Sequence, residues 1–149
     1  MATSHSSGDD SGWLATGLTV RREVMGDSFV DQVLARTGGT ESAELQRFVT
    51  EHVWGAVWTR PGLDRRSRSL LNLGMLTALR AHEELAGHVR GALANGLTRE
   101  EIVEAIIHTA AYCGAPAALS AMRIVQQIFD SIASRASTDS PAYPPQPSE

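Results

Sequence analysis

Only one cysteine stands among the 149 residues. A lone thiol can make neither an internal disulfide nor a cysteine-rich zinc site. A basic surplus is also absent: 13 Lys+Arg against 17 Asp+Glu leave a formal charge of −4, which argues against nucleic acid as a partner. No apolar run approaches the ~20 residues of a membrane span. The opening MATSHSSGDDSG lacks the positively charged start and apolar stretch of a secretory signal. A Walker loop, a dinucleotide glycine fingerprint, an HExxH motif and internal repeats are missing too, so the simple signatures of nucleotide and zinc chemistry are gone. The expectation is a single cytoplasmic domain, with no membrane or nucleic-acid partner. A chain of this length can bury roughly two-thirds of its unfolded surface without staples.

The ends differ in composition from the middle. Residues 1–18 begin rich in Ser, Gly and Asp, and residues 134–149 hold four of the six prolines. Both are expected to be flexible, because such segments bury too little apolar surface to offset the entropy of ordering. Residues 19–133 are expected to form the folded domain. There the apolar residues recur at three and four residue spacing, and strand-like alternation is absent. Phe29, Val30, Val33 and Leu34 form one stripe, closed by Gly38-Gly39. Leu45, Phe48, Val49, Val53, Ala56 and Val57 form a second, ending before Arg60-Pro61. Asp64 caps a third helix that is apolar nearly all round and so is expected at the centre of the fold. A fourth spans His82 to Ala94 and stops at Asn95-Gly96. Thr98 and Glu101 make a capping box that opens the fifth, and Gly114 separates it from a sixth running through Met122, Val125, Phe129 and Ile132. The fold class is therefore all-α, a six-helix bundle. Small residues such as Gly91, Ala92 and the run from Ala110 to Ala118 allow close helix approach, in a core or at a subunit interface.

The densest titratable cluster is His82-Glu83-Glu84-Leu85-Ala86-Gly87-His88. At ~100° per residue, His88 lies about 40° from Glu84, on the border of the apolar face. A carboxylate beside an imidazole at the edge of a core can orient the ring and set it for proton transfer. The competing reading is an ordinary i,i+4 helix pair on a wet surface. His82 lies about 160° from Glu84, so His82, Glu84 and His88 do not converge on a metal. Arg60, Arg65, Arg66 and Arg68 crowd one region, either as carboxylate clamps or as a solvated basic turn. His52 reads as a packed or interface histidine, His108 as core or pocket wall, and Cys113 as a small buried hydrophobe.

The stretches TVRREVMGD, HVWGAVWTRPGLDRRSRSLLNLGMLTAL, HEELAGHVRGALANGLTREEIVEAI and HTAAYCGAPAA together resemble the γ-carboxymuconolactone decarboxylase family, a branch of the alkylhydroperoxidase D-like superfamily. The match runs from Leu18 to Phe129. The resemblance implies an all-α subunit of a homo-oligomer, a trimer or hexamer, with its active site near subunit contacts. The peroxidase branch carries Glu, eleven residues, then Cys-x-x-Cys-x-x-x-His. With its histidine laid on His88, those positions hold Ser69, Ala81 and Glu84, so thiol-based peroxide reduction is excluded. Cys113 lies elsewhere in the chain. Where the resemblance leads one to expect Asn after Pro-Ala-Ala, Leu119 stands.

The implied reaction is loss of CO2 from 4-carboxymuconolactone to give 3-oxoadipate enol-lactone, in the protocatechuate branch of aromatic degradation. No cofactor is implied, because the substrate's conjugated lactone is its own electron sink. The implied roles are proton return by His88, oriented by Glu84, with Arg65 or Arg68 on the remaining carboxylate. Glu83, His82, His108 and Tyr112 are further pocket candidates, and no metal is expected. The alternatives are decarboxylation or isomerisation of another lactone or β-keto acid in a biosynthetic pathway, or a catalytically silent scaffold.

Overall fold

The computed structural model describes residues 10–138. Among them every regular element is helical: α1 (Asp10–Met25), α2 (Asp27–Thr37), α3 (Ser42–Phe48), α4 (Arg65–Leu79), α5 (His82–Ala94), α6 (Arg99–Cys113) and α7 (Ala115–Thr138). The all-α class is as expected, with one helix more than the sequence pattern gave. The extra one is α1, which begins inside the segment expected to be flexible. Residues 1–9 and 139–149 lie outside the described residues, and α7 carries the fold past residue 133, to Thr138.

Helix α1 escapes the periodicity because its apolar stripe is weak and two glycines interrupt it. Packing holds it. An added Cβ on Gly17 would sit 2.1 Å from the Thr50 carbonyl oxygen, and one on Gly55 2.3 Å from the Trp13 carbonyl oxygen. The two backbones therefore touch, which only glycine permits. On the other side of α1, Met25 and Val24 close against Gly87 and Gly91 of α5. Some of the small residues noted in the sequence thus serve helix contacts within one chain.

Helix α3 runs directly into a π-helical stretch, Val49–Val57. Its i→i+5 winding turns the chain less per residue than the 3.6-residue period assumes. The inward residues are accordingly Thr50, Glu51, Trp54, Gly55 and Trp58. Leu45, Phe48, Val53 and Val57 of the expected stripe are exposed.

The caps follow the sequence. Asp64 accepts from the Ser67 N–H at 2.7 Å, and Thr98 and Glu101 close the capping box. Gly96 and Gly114 adopt positive φ at the turns that follow α5 and α6. The main core joins Leu73 of α4, Leu85 and Val89 of α5, Ile102 and Ile106 of α6, and Val125 of α7. A smaller one joins Val20 and Val24 of α1 to Trp54 and Trp58. Helix α4 is not central as expected. Leu73 is fully buried, but Leu71 and Met75 are each 52% exposed, so one apolar side of the helix is bare.

Candidate active site

His88 sits on α5 where the two cores meet. Its ring is parallel to Trp54, with centroids 6.1 Å apart and 4° between planes, and lies 6.3 Å from Trp58. The two indoles stack on each other at 4.9 Å. The π-helical winding puts both on the inward face. Burial pushes the His88 pKa below its ordinary value, and the charge of Glu84 works weakly against that shift. The resting ring is therefore neutral at pH 7.

The ring's hydrogen-bond partner is Asn72 of α4, whose Nδ2 lies 3.4 Å from His88 Nδ1. With the amide NH2 donating, Nδ1 accepts and the proton of the neutral ring sits on Nε2. Glu84 was expected to orient the ring. It lies one turn away and reaches the ring through its charge, and the hydrogen-bond contact at the ring comes from Asn72.

A cavity of about 430 Å3 opens beside the ring. Its walls are mostly apolar, from Val53, Trp54, Val57, Trp58 and Met75, with Arg68, Asn72 and His88 supplying the polar groups. Arg68 donates from Nη2 to the Arg60 carbonyl at 2.8 Å, and its Nε is enclosed without a partner. Among the described residues it makes no ion pair. Arg65, the other candidate, is bound to Glu23 at the surface, and Arg66 to Glu101. The structure thus separates four similar arginines: only Arg68 faces the histidine.

The remaining candidates divide. Glu83 and Glu84 line a second cavity, of about 650 Å3, which shares Val49, Trp54 and His88 with the first. His82 is exposed and lines neither cavity. His108 and Tyr112 pair with each other on α6, with ring centroids 4.9 Å apart. His108 lines an open apolar groove with Leu71 and Met75, away from His88, and Tyr112 is 79% exposed. Leu119 is exposed as well. His52 packs its ring against Phe48 at 4.3 Å, and Cys113 is half-buried. Ser69 is buried and accepts from Asn95 Nδ2 at 2.9 Å, tying α4 to the end of α5. Among the described residues no three His, Cys, Asp or Glu side chains are grouped as metal ligands, and no helix is long and apolar enough to cross a membrane.

The Carboxymuconolactone decarboxylase family model matches residues 43–127, from α3 into α7. The chain belongs to that family. It is 39% identical over 113 residues to the 4-carboxymuconolactone decarboxylase of Acinetobacter baylyi, covering 76% of this chain and 84% of that protein. It is 44% identical over 114 residues to the nitrosuccinic acid decarboxylase npaB of Metarhizium robertsii, covering 76% of this chain and 79% of that protein. The family match takes in His88, Trp54, Trp58, Asn72 and Arg68. Sequence reasoning passed over Trp54, Trp58 and Asn72 as functional groups. Asn72 did carry a signal, as the one amide in the apolar run Leu70 to Met75.

Proposed function

We propose that the chain decarboxylates 4-carboxymuconolactone in the cavity between His88 and Arg68. Its relatives at 44% and 39% identity are decarboxylases, which makes the chain a carboxy-lyase. The observation that carries the finer reading is one proton-carrying ring, backed by two indoles, on the wall of an apolar cavity that holds an unneutralised arginine.

Both named substrates have a common chemical shape. 4-Carboxymuconolactone and nitrosuccinate each have a carbon bearing the departing carboxylate, a CH2-carboxylate arm, and a conjugated acceptor, lactone or nitro. When CO2 leaves, the bond pair passes into the acceptor as an oxyfuran anion or a nitronate. Arg68 pairs with the CH2-carboxylate arm. Trp54, Trp58, Val53 and Val57 surround the departing carboxylate with apolar surface, which favours neutral CO2 over the anion.

His88 returns the proton. Entry of a dianion, together with Glu84, raises the proton affinity of the imidazole against the opposing effect of burial, and the imidazolium is the acid. Its Nε2–H goes to the substrate carbon and the ring returns to neutral. Asn72 serves both states, since a half-turn of its amide presents Oδ1 to a protonated Nδ1. The reaction needs no cofactor, because the acceptor is built into the substrate.

Nitrosuccinate is the second reading, favoured by the higher identity to its decarboxylase. The test is ultraviolet decay of freshly generated 4-carboxymuconolactone, with CO2 release from nitrosuccinate measured beside it. Decay of the lactone at an enzymic rate is the expected result. Turnover of nitrosuccinate alone would move the assignment to the second reading, and turnover of neither would defeat both.

The oligomer belongs to the same reading. Leu71 and Met75 line both the His88 cavity and the bare groove between α4 and α6. A second copy on that groove, as in a trimer or hexamer, would roof the site and complete its exclusion of water.

A further inference from the structure

The second cavity beside Trp54 and His88 has four charged residues on its walls: Arg21, Arg36, Glu83 and Glu84. Three of them are exposed, so water screens their charges. Arg21 is only 6% exposed. Its Nη1 donates to Thr50 Oγ1 and its Nη2 to Gln46 Oε1, each at 2.9 Å, and its Nε is enclosed with no partner. Both partners are neutral. Among the described residues no carboxylate forms an ion pair with Arg21. A cation taken out of water without a counter-ion is costly to fold around. Here it is held rigidly by two helical segments, and it shares a cavity with the ring that carries the reaction's proton.

The proposed reaction leaves one requirement unmet. Arg68 holds the retained carboxylate, Asn72 faces His88 Nδ1, and the Nε2 proton goes to carbon. None of these groups is left for the acceptor oxygen, on which a full negative charge appears. Resting on the reading that the chain is a decarboxylase of substrates with a built-in acceptor, we propose that the substrate spans the two cavities where they meet at Val49, Trp54 and His88, and that Arg21 is a catalytic residue that binds the lactone or nitro oxygen and stabilises this charge. The C–CO2 bond breaks heterolytically, CO2 leaves neutral, and the pair conjugates onto the acceptor oxygen. Arg21 keeps its proton throughout, and His88 protonates the carbon. A fixed, unneutralised guanidinium needs no reorganisation as the charge arrives, which is the arrangement that favours a transition state over a ground state.

The inference is tested by binding, without turnover. The probe is 3-nitropropanoate, compared as its neutral nitro form and as its nitronate. All proteins carry His88→Gln, which removes the acid that would protonate the nitronate. The Arg21-intact protein is expected to bind the nitronate tighter by about tenfold or more, as a mimic of the charged state. Arg21→Gln should bring the two forms to parity while leaving nitro-form affinity close to its starting value. Arg68→Gln should weaken both forms alike. No nitronate preference in the Arg21-intact protein would overturn the proposal. So would a preference that survives Arg21→Gln, or equal weakening of both forms by that change, which would make Arg21 a mere carboxylate anchor. Should Arg21→Gln fail to fold, Thr50→Val keeps the cation but frees one of its N–H groups. A reduced preference there supports the proposal and an unchanged one contradicts it. Failure to turn over 4-carboxymuconolactone would defeat the substrate reading and leave this comparison standing.

Discussion

Asn72 Nδ2 lies 3.4 Å from His88 Nδ1, so an amide on α4 is the hydrogen-bond partner of a histidine on α5. If this contact orients the acid, Asn72→Leu should lower kcat on the order of tenfold, ~1.4 kcal/mol of barrier. Asn72→Asp should do something different. A carboxylate at Nδ1 favours the imidazolium, so the loss of kcat on the alkaline side should move to higher pH. A purely structural role for Asn72 would lower activity without moving the pH profile.

The depressed pKa of His88 makes stability depend on pH. The folded ring holds its proton less tightly than the unfolded one, because burial opposes the charge. The unfolded chain therefore binds more protons, and stability rises with pH. This contribution is complete above the unfolded value of about 6.5 and is lost as pH falls below it toward the lower folded value. Thermal unfolding from pH 8 down to 5 should show a steeper loss for the wild type than for His88→Gln. Parallel curves for the two proteins would mean the ring is not buried neutral.

Four arginines look alike in the sequence, but the structure gives them different duties. Arg68→Gln should raise KM for a dicarboxylate substrate by about ten- to a hundredfold, the effect of losing a charge-assisted contact of ~1.5 to 3 kcal/mol. Arg65→Gln removes an exposed pair with Glu23, and pairs of this kind are worth little. Steady-state kinetics should leave it near wild type. Equal effects at the two positions would contradict the placement of the substrate carboxylate.

The approach of α1 to the π-helical stretch leaves no room at Gly55. Its Cβ would lie 2.3 Å from the Trp13 carbonyl oxygen, a backbone atom that a rotamer change cannot move. Gly55→Ala should therefore destabilise the fold by about 3 kcal/mol, the upper part of the usual overpacking range. At roughly 2 to 4 °C per kcal/mol for a chain of this size, the thermal midpoint should fall by several degrees. Activity should fall too, because Gly55 is flanked by Trp54. A midpoint unchanged within error would show that α1 does not lie this close.

The helices from α4 onward were legible because their signals are local: the Asp64 cap, the Thr98 and Glu101 box, and Gly96 and Gly114 at the turns. Helix α1 was not, since its stability comes from Gly17 meeting Gly55, a contact between residues far apart in sequence. The π-helical winding was hidden for a related reason. A period of 3.6 assigns Val53 and Val57 inward, whereas the observed winding turns Trp54 and Trp58 inward and so builds the wall behind His88. At the site, the chemistry of His88 was readable from its place beside an apolar face. Its partner was not, because Asn72 reaches it across helices while Glu84 is near on the same helix. Neighbouring charges with opposite fates, Arg21 buried and Arg22 at the surface, carry no local mark that separates them.

The central claim is that His88 returns the proton to a substrate that has lost CO2. The most direct measurement is kcat/KM on freshly generated 4-carboxymuconolactone for the wild type and His88→Ala, each shown folded by circular dichroism. Loss of general-acid catalysis predicts a fall of about 10²- to 10⁴-fold. Near-normal turnover by folded His88→Ala would contradict it.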